Sequence, residues 1–253
     1  MTPPRPTPTL RLCHLYPRRM NIYGDRGNIQ SLQVRAERRG ITVKTDTLEI
    51  GDARTLSRYD LFFFGGGQDQ EQAAVAADLR PRGPELVKSI SDGAALLAVC
   101  GGYQLLGKWY RPNASEELSG IGLFDAETVA GPKRLIGNVV GNLDHPDLHG
   151  TVVGFENHSG LTTLSPGAEP LATVRTGHGN NGRDRTEGCL LDLPGGGAAI
   201  GTYLHGSLLP KNPRLTDWLL ARALRKRYPD YRFPKLEARE EETAHRQAVT
   251  MFT

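Results

Sequence analysis

Residues 94–106 read AALLAVCGGYQLL, and this run decides the fold. Ala94 to Val99 form a short apolar stretch suited to a buried strand, and Gly101-Gly102 break it. Tyr103 to Leu106 then begin a helical pattern that Gly107 can stop. Cys100 therefore lies on a tight strand-to-helix turn, with Ala98 two residues before it and Gly102 two after. That is the spacing of a nucleophile elbow with Cys in place of Ser. Small neighbours allow the sharp bend, and the start of a helix favours thiolate over thiol. A packed core thiol is the competing reading, since free Cys is among the most buried residue types. The Gly-Gly pair favours the nucleophile, because a packing Cys needs no such turn.

Outward from the elbow, strand-like runs alternate with helical ones. Residues 9–16, 41–46 and 60–64 read as strands, and 28–39 as a helix ended by Gly40. Two helices are expected near 69–79 and 84–92, ahead of the strand into Cys100. This alternation predicts an α/β fold: a mostly parallel central sheet flanked by helices. Ligands then bind beyond the carboxyl ends of the strands, which places Gly65-Gly66-Gly67 and Cys100 on one rim. After the elbow, short strands at 121–129, 135–141, 151–155, 171–175, 189–193 and 198–204 suggest an antiparallel or mixed extension of the sheet. A helix over 213–227 follows, its basic face read as solvated or as part of a partner contact. The boundaries expected are a disordered leader over 1–8, one domain over 9–235, and a charged, helix-prone tail over 236–253.

The chain has 253 residues, with 31 basic against 28 acidic, so charge gives no case for nucleic acid. Three widely spaced cysteines without metal spacing suit free thiols in a reducing, cytoplasmic compartment. No apolar run approaches membrane-spanning length.

A cysteine nucleophile needs a base. Of seven histidines, His14, His145, His149 and His245 read as ordinary surface or turn residues, while His158 and His178 lie in polar loops that could belong to a site. His205 ends the apolar run 198–204, which places it at a strand end where it can accept the Cys100 proton. The glycines at 65–67 lack the Gly-Lys-Ser/Thr of a phosphate loop. They read instead as a backbone N–H, from Gly66, aimed at an oxyanion together with the N–H of Gly101.

These features resemble the class I glutamine amidotransferases, whose glutaminase domains carry Cys-x-Gly-x-Gln, here Cys100 to Gln104. NIYGDRGNIQ (21–30), DLFFFGGGQDQEQ (60–72), CGGYQLLGKWY (100–110), GFENHSGLT (154–162), GHGNNGRD (177–184) and GTYLHGSLLPKNP (201–213) are similar to the cobyric-acid-synthase-like branch. Within it they are most similar to the glutaminase subunits of lipid II isoglutaminyl synthase. The resemblance covers about residues 9–213. It implies Cys100 as nucleophile and His205 as general base and acid. It also implies Arg134, in GPKRLIGN, as the holder of the glutamine α-carboxylate, and Gln104 as a further substrate contact. Many class I members place Glu two residues after the histidine, where this chain has Ser207, so a Cys–His dyad is expected with no orienting carboxylate named. The resemblance further implies a heterodimer with a MurT-type subunit of the Mur-ligase family. That partner would carry ATP and Mg and amidate lipid II in peptidoglycan synthesis. No metal or cofactor is expected in this chain. The alternatives are another amidotransferase of this branch, a stand-alone glutaminase, a non-catalytic partner-binding subunit, or a different Cys-elbow hydrolase.

Overall fold

In a computed structural model, which describes residues 7–22, 25–112, 116–205 and 207–253, the chain builds two sheets. The first has six strands: β1 (Thr9–Leu15), β2 (Thr42–Leu48), β3 (Leu61–Phe64), β4 (Ala95–Val99), and two that come late in the sequence. These last are strand β11 (Cys189–Asp192) and strand β12 (Ala198–Thr202), and the spatial order is β11-β12-β4-β3-β1-β2. All neighbours are parallel except β11, which pairs antiparallel with β12 at the edge. Strands β3 and β4 are buried at every residue, as continuous apolar runs covered on both faces must be.

Helix α1 (Arg26–Glu37) follows β1, and α2 (Asp69–Ser91) follows β3. The chain leaves β1 for β2 on one side and then crosses to β3 on the other. The loops after β1 and β3 therefore flank the topological switch point, where a crevice opens. Helix α2 corrects the expectation of two helices: one helix runs through Pro81 and Pro84. Each proline removes a backbone donor, but Val75, Leu79, Leu86 and Ile90 bury one face along its length. That packing outweighs the local penalty.

The second sheet begins beyond the elbow. After α3 (Gly101–Leu106) come β5 (Trp109–Arg111) and β6 (Leu118–Ser119), then β7 (Ala126–His145) and β8 (Leu148–Leu164) as one long antiparallel hairpin. Strands β9 (Ala172–Thr176), β10 (Thr186–Glu187) and β13 (Leu204–His205) complete it. The separate strands expected over 121–129 and 135–141 are largely this single β7. Its ladder to β8 is interrupted between Ala130 and Leu135, and Arg134 sits in that interruption. The leader expected over 1–8 falls mostly outside the described residues; only Thr7 and Pro8 are seen, without regular structure.

Helices α4 (Leu208–Lys211), α5 (Pro213–Arg225) and α6 (Arg239–Phe252) close the chain. The basic face of α5 and the residues after it are only partly solvated: Arg214 and Arg225 are exposed, while other cations are engaged within the chain. Arg222 pairs with Asp192 at 2.8 Å and Asp147 at 2.9 Å, and Arg227 pairs with Asp60 at 2.9 Å. On the opposite side of α5, Asp217 receives Arg35 through Nε and Nη2, both at 2.7 Å, and Arg39 through Nη2 at 2.7 Å. The side chains of Arg35 and Arg39 are only 6% and 1% exposed. Arg35 also reaches Glu241 at 3.2 Å, but removing the shared carboxylate strands the buried Arg39, so Asp217→Ala is expected to cost about 3 kcal/mol of unfolding free energy. Urea denaturation at neutral pH measures it; a loss below about 1 kcal/mol, the scale of a surface pair, would show the cluster to be incidental.

Among the described residues, no helix is long and apolar enough to cross a membrane.

Candidate active site

Cys100 closes β4 and caps α3 with φ 50° and ψ −107°, a conformation that L residues rarely adopt. Holding a non-glycine residue there costs of order 1–3 kcal/mol, which the surroundings must supply. They do so through backbone bonds: Cys100 N–H donates to Thr202 O at 2.8 Å, and Cys100 O accepts from Gln104 N–H at 2.9 Å. Gly102 N–H donates to Gly65 O at 3.1 Å, which locks the elbow to the turn after β3. The approach is so close that a Cβ on Gly102 would stand 2.7 Å from Phe64 O. The glycines of the elbow thus serve backbone proximity, and the two strand ends share one rim as expected.

His205 arrives from the other end of the chain. Thr202 ends β12 in the first sheet, and two residues later β13 pairs with β8 in the second, matching His205 with Phe155. The sheet switch carries the imidazole over the elbow. A Cβ on Gly66 would lie 2.9 Å from His205 Cε1 and 3.4 Å from Cys100 Cβ, so Gly66 touches both side chains. His205 is fully buried. Burial alone would lower its pKa, but the Cys100 sulfur, hydrogen bonds with Asp25 and Cys100, and the Asp25 charge hold it up at about 10. The ring is thus charged at neutral pH and placed to donate a proton at the elbow.

Asp25 is the residue that sequence reasoning missed. It immediately precedes α1, is fully buried, and places Oδ1 3.4 Å from His205 Nδ1. Its Oδ2 accepts the N–H of Gly66 at 2.8 Å. A carboxylate from the β1–α1 loop thus stands beside the histidine, whereas many class I members carry theirs two residues after it. Ser207, at the usual position, instead takes a left-handed backbone with φ 54° and lies against Gly27. Asp25 also corrects the reading of Gly66: its N–H is engaged by a carboxylate and is not presented to an oxyanion. Gly101 opens α3, where first-turn N–H groups lack intrahelical partners.

A pocket of about 410 Å³ opens beside Cys100, lined among others by Gln104, Arg134, His158 and Ser159. Arg134 reaches it from the irregular stretch of β7, where an interrupted ladder re-aims a side chain. Its Nε donates to Asn157 Oδ1 and its Nη2 to Asn157 O, both at 2.7 Å, which fixes the guanidinium plane. Gln104 also lines the pocket, but its amide is already employed. Its Oε1 accepts from Gln72 at 3.1 Å and its Nε2 donates to Tyr203 at 3.3 Å. Packing of the elbow helix accounts for it better than contact with substrate.

His158 stacks on Tyr203 with ring centroids 3.6 Å apart, and its Nδ1 bonds Gly160 O at 2.7 Å. His178 is elsewhere; its backbone N–H donates to Glu156 at 2.7 Å, and Glu156 and His158 lie on strand β8, not in the polar loop expected there. His14, expected at the surface, is buried on β1 against Phe63. Burial lowers its pKa to about 4.

The family model of the CobB/CobQ-like glutamine amidotransferase domain matches residues 11–213. The chain is 40% identical over 214 residues to the Staphylococcus aureus lipid II isoglutaminyl synthase (glutamine-hydrolyzing) subunit GatD, covering 85% of this chain and 84% of that one. The Streptococcus pneumoniae GatD is 37% identical, with 90% and 86% covered. A probable cobyric acid synthase of Methanocaldococcus jannaschii is 30% identical over 58% of this chain but only 30% of its own. A crystal structure of a glutamine amidotransferase superposes with a TM-score of 0.53 at 16% identity, covering 83% of this chain and 98% of that one. The elbow, the histidine brought over it and these relatives agree: the chain is a glutamine amidotransferase of the CobB/CobQ-like family and belongs to its GatD branch.

Proposed function

We propose that this chain is the glutaminase subunit of a lipid II isoglutaminyl synthase. The observation that carries the reading is a pocket lined by Cys100 and Arg134, with His205 hydrogen-bonded to Cys100 behind it, in a chain that aligns with GatD subunits along most of its length. Arg134 pairs its remaining N–H donors with the α-carboxylate of L-glutamine and so aims the side-chain amide at the elbow.

The Cys100 thiolate adds to the amide carbon, and the Gly101 N–H stabilises the resulting oxyanion. The C–N bond breaks as His205 gives its proton to the leaving nitrogen, which departs as ammonia and leaves a glutamyl thioester. The now neutral His205 takes a proton from water as the hydroxide adds. Collapse of that adduct releases glutamate and restores the thiolate. Ammonia protonated by bulk water is no nucleophile, so it must pass directly to an activated acceptor. In this reading the acceptor is the D-glutamate α-carboxylate of the lipid II stem peptide, activated with ATP and Mg on a MurT-type subunit of the Mur-ligase family.

The test is co-purification with such a ligase followed by an amidation assay. Glutamine-dependent formation of isoglutamine-containing lipid II is expected. A stable complex that hydrolyses glutamine and amidates nothing would overturn the acceptor assignment.

A further inference from the structure

Asp69 and Arg134 are the two residues of opposite formal charge that line the pocket beside Cys100. Among the described residues neither takes part in an ion pair, whereas Arg35, Arg39, Arg222 and Arg227 all have carboxylate partners. Both pocket charges are nonetheless held in place. Asp69 opens α2 directly after the glycine turn, and its Oδ1 accepts from the hydroxyl of the buried Tyr110 at 3.1 Å. Arg134 is held from the opposite strand pair by Asn157. An oriented cation and an oriented anion facing one cavity, each without a protein counter-ion, complement a zwitterion.

We propose that Asp69 is the counter-ion of the substrate's α-ammonium group, so that the site selects a free α-amino acid amide over amides that lack the amine. The inference rests on the glutaminase reading and extends it. With the α-carboxylate at Arg134 and the α-ammonium at Asp69, the substrate's stereocentre is held at two points, and its side-chain amide is directed at Cys100. Tyr110 leaves Oδ2 of Asp69 free to accept an ammonium N–H while it fixes the carboxylate plane. Asp69 also stands in the first turn of α2, where a negative charge is favourable to the helix in any case. A charge serving only the helix would be indifferent to the substrate's amine, which separates the two roles.

The experiment uses the full chain purified with its ligase partner and measures ammonia release. Two amides are compared: L-glutamine and glutaramate, which is glutamine without its α-amino group. Where glutaramate turns over slowly, it is read as an inhibitor of glutamine hydrolysis. For Asp69→Asn, KM for glutamine should rise about 10- to 100-fold, the range of a charge-assisted hydrogen bond, with kcat within about threefold. The kinetic constants for glutaramate should stay within about twofold, and Asp69→Glu should restore part of the glutamine preference. Tyr110→Phe should produce a smaller rise in KM for glutamine alone, which guards against a folding defect in the first variant. If Asp69→Asn weakens both amides equally, or leaves the preference for glutamine intact, the assignment is wrong. A wild-type complex that hydrolyses neither amide would remove the glutaminase reading itself, and this inference with it.

Discussion

Cys100→Ala is expected to lower glutamine hydrolysis by about 10⁴-fold or more while the protein stays folded, because the thioester route is lost and only binding and oxyanion stabilisation remain. The elbow allows a sharper form of this test. Cys100 sits at φ 50° and ψ −107°, where a Cβ is penalised and glycine is not. Cys100→Gly should therefore be as inactive as Cys100→Ala, which likewise lacks the sulfur beside His205, yet more stable than it by about 1 kcal/mol, after the entropy cost of glycine is subtracted. A stability gain on removing the Cβ alone is the mark of strain held for function. Glutamate release and urea unfolding of both variants check it. If Cys100→Ala keeps more than about a hundredth of the wild-type rate, Cys100 is not the nucleophile. If Cys100→Gly is the less stable protein, the elbow stores no strain.

Local pattern predicted the parallel sheet well because β3 and β4 are continuous apolar runs punctuated by glycine, and such runs mean the same thing in any context. It failed where packing overrode a local rule. Pro81 and Pro84 stop a helix considered alone, but α2 continues through them because its inner face is buried on both sides of the pair. The β7–β8 hairpin was seen only in pieces. Its residues GPKR (131–134) and NLDH (142–145) fall outside the expected strands, and the interruption between Ala130 and Leu135 destroys the alternation that marks a strand. The site was legible where function needs a motif: Cys100 in its turn and His205 at a strand end. Asp25 had no such signature. It stands 180 residues from its histidine, in a loop whose closeness to His205 depends on the sheet switch at residues 203–204. The available clue was positional: an acidic residue opening the helix after β1, at the carboxyl edge of the sheet beside the switch point. Gly66 failed for the same reason, since the engagement of its N–H depends on that same carboxylate.

Asp25→Asn is expected to cut kcat by about 10²- to 10⁴-fold with KM little changed, because the variant leaves the nucleophile and Arg134 in place but removes the charge behind the imidazole. Asparagine can keep its carbonyl on the Gly66 N–H, where Oδ2 of Asp25 now accepts at 2.8 Å. Its amide NH₂ then faces His205 Nδ1 and forces that nitrogen to accept. The ring proton moves to the other nitrogen, and the imidazole can no longer take up a proton there and hold it as an imidazolium. The pH dependence gives a second readout with a definite sign. His205 is raised from 6.5 to about 10, by Cys100 and Asp25 acting against burial. The imidazolium should therefore persist through neutral pH, and the alkaline limb of kcat/KM should lie near pH 10. Removing the Asp25 hydrogen bond and charge shifts that limb toward acid. Stability follows the same group: a folded pKa above the ordinary value contributes in full below pH 6.5 and fades as pH rises through about 10. The stability difference between wild type and Asp25→Asn should accordingly be largest near pH 6 and shrink toward pH 10. An Asp25→Asn protein with an unmoved alkaline limb and a kcat within about threefold of wild type would reduce Asp25 to a brace for the glycine turn. A displaced limb with a collapsed kcat would make it the orienting carboxylate that Ser207 cannot be.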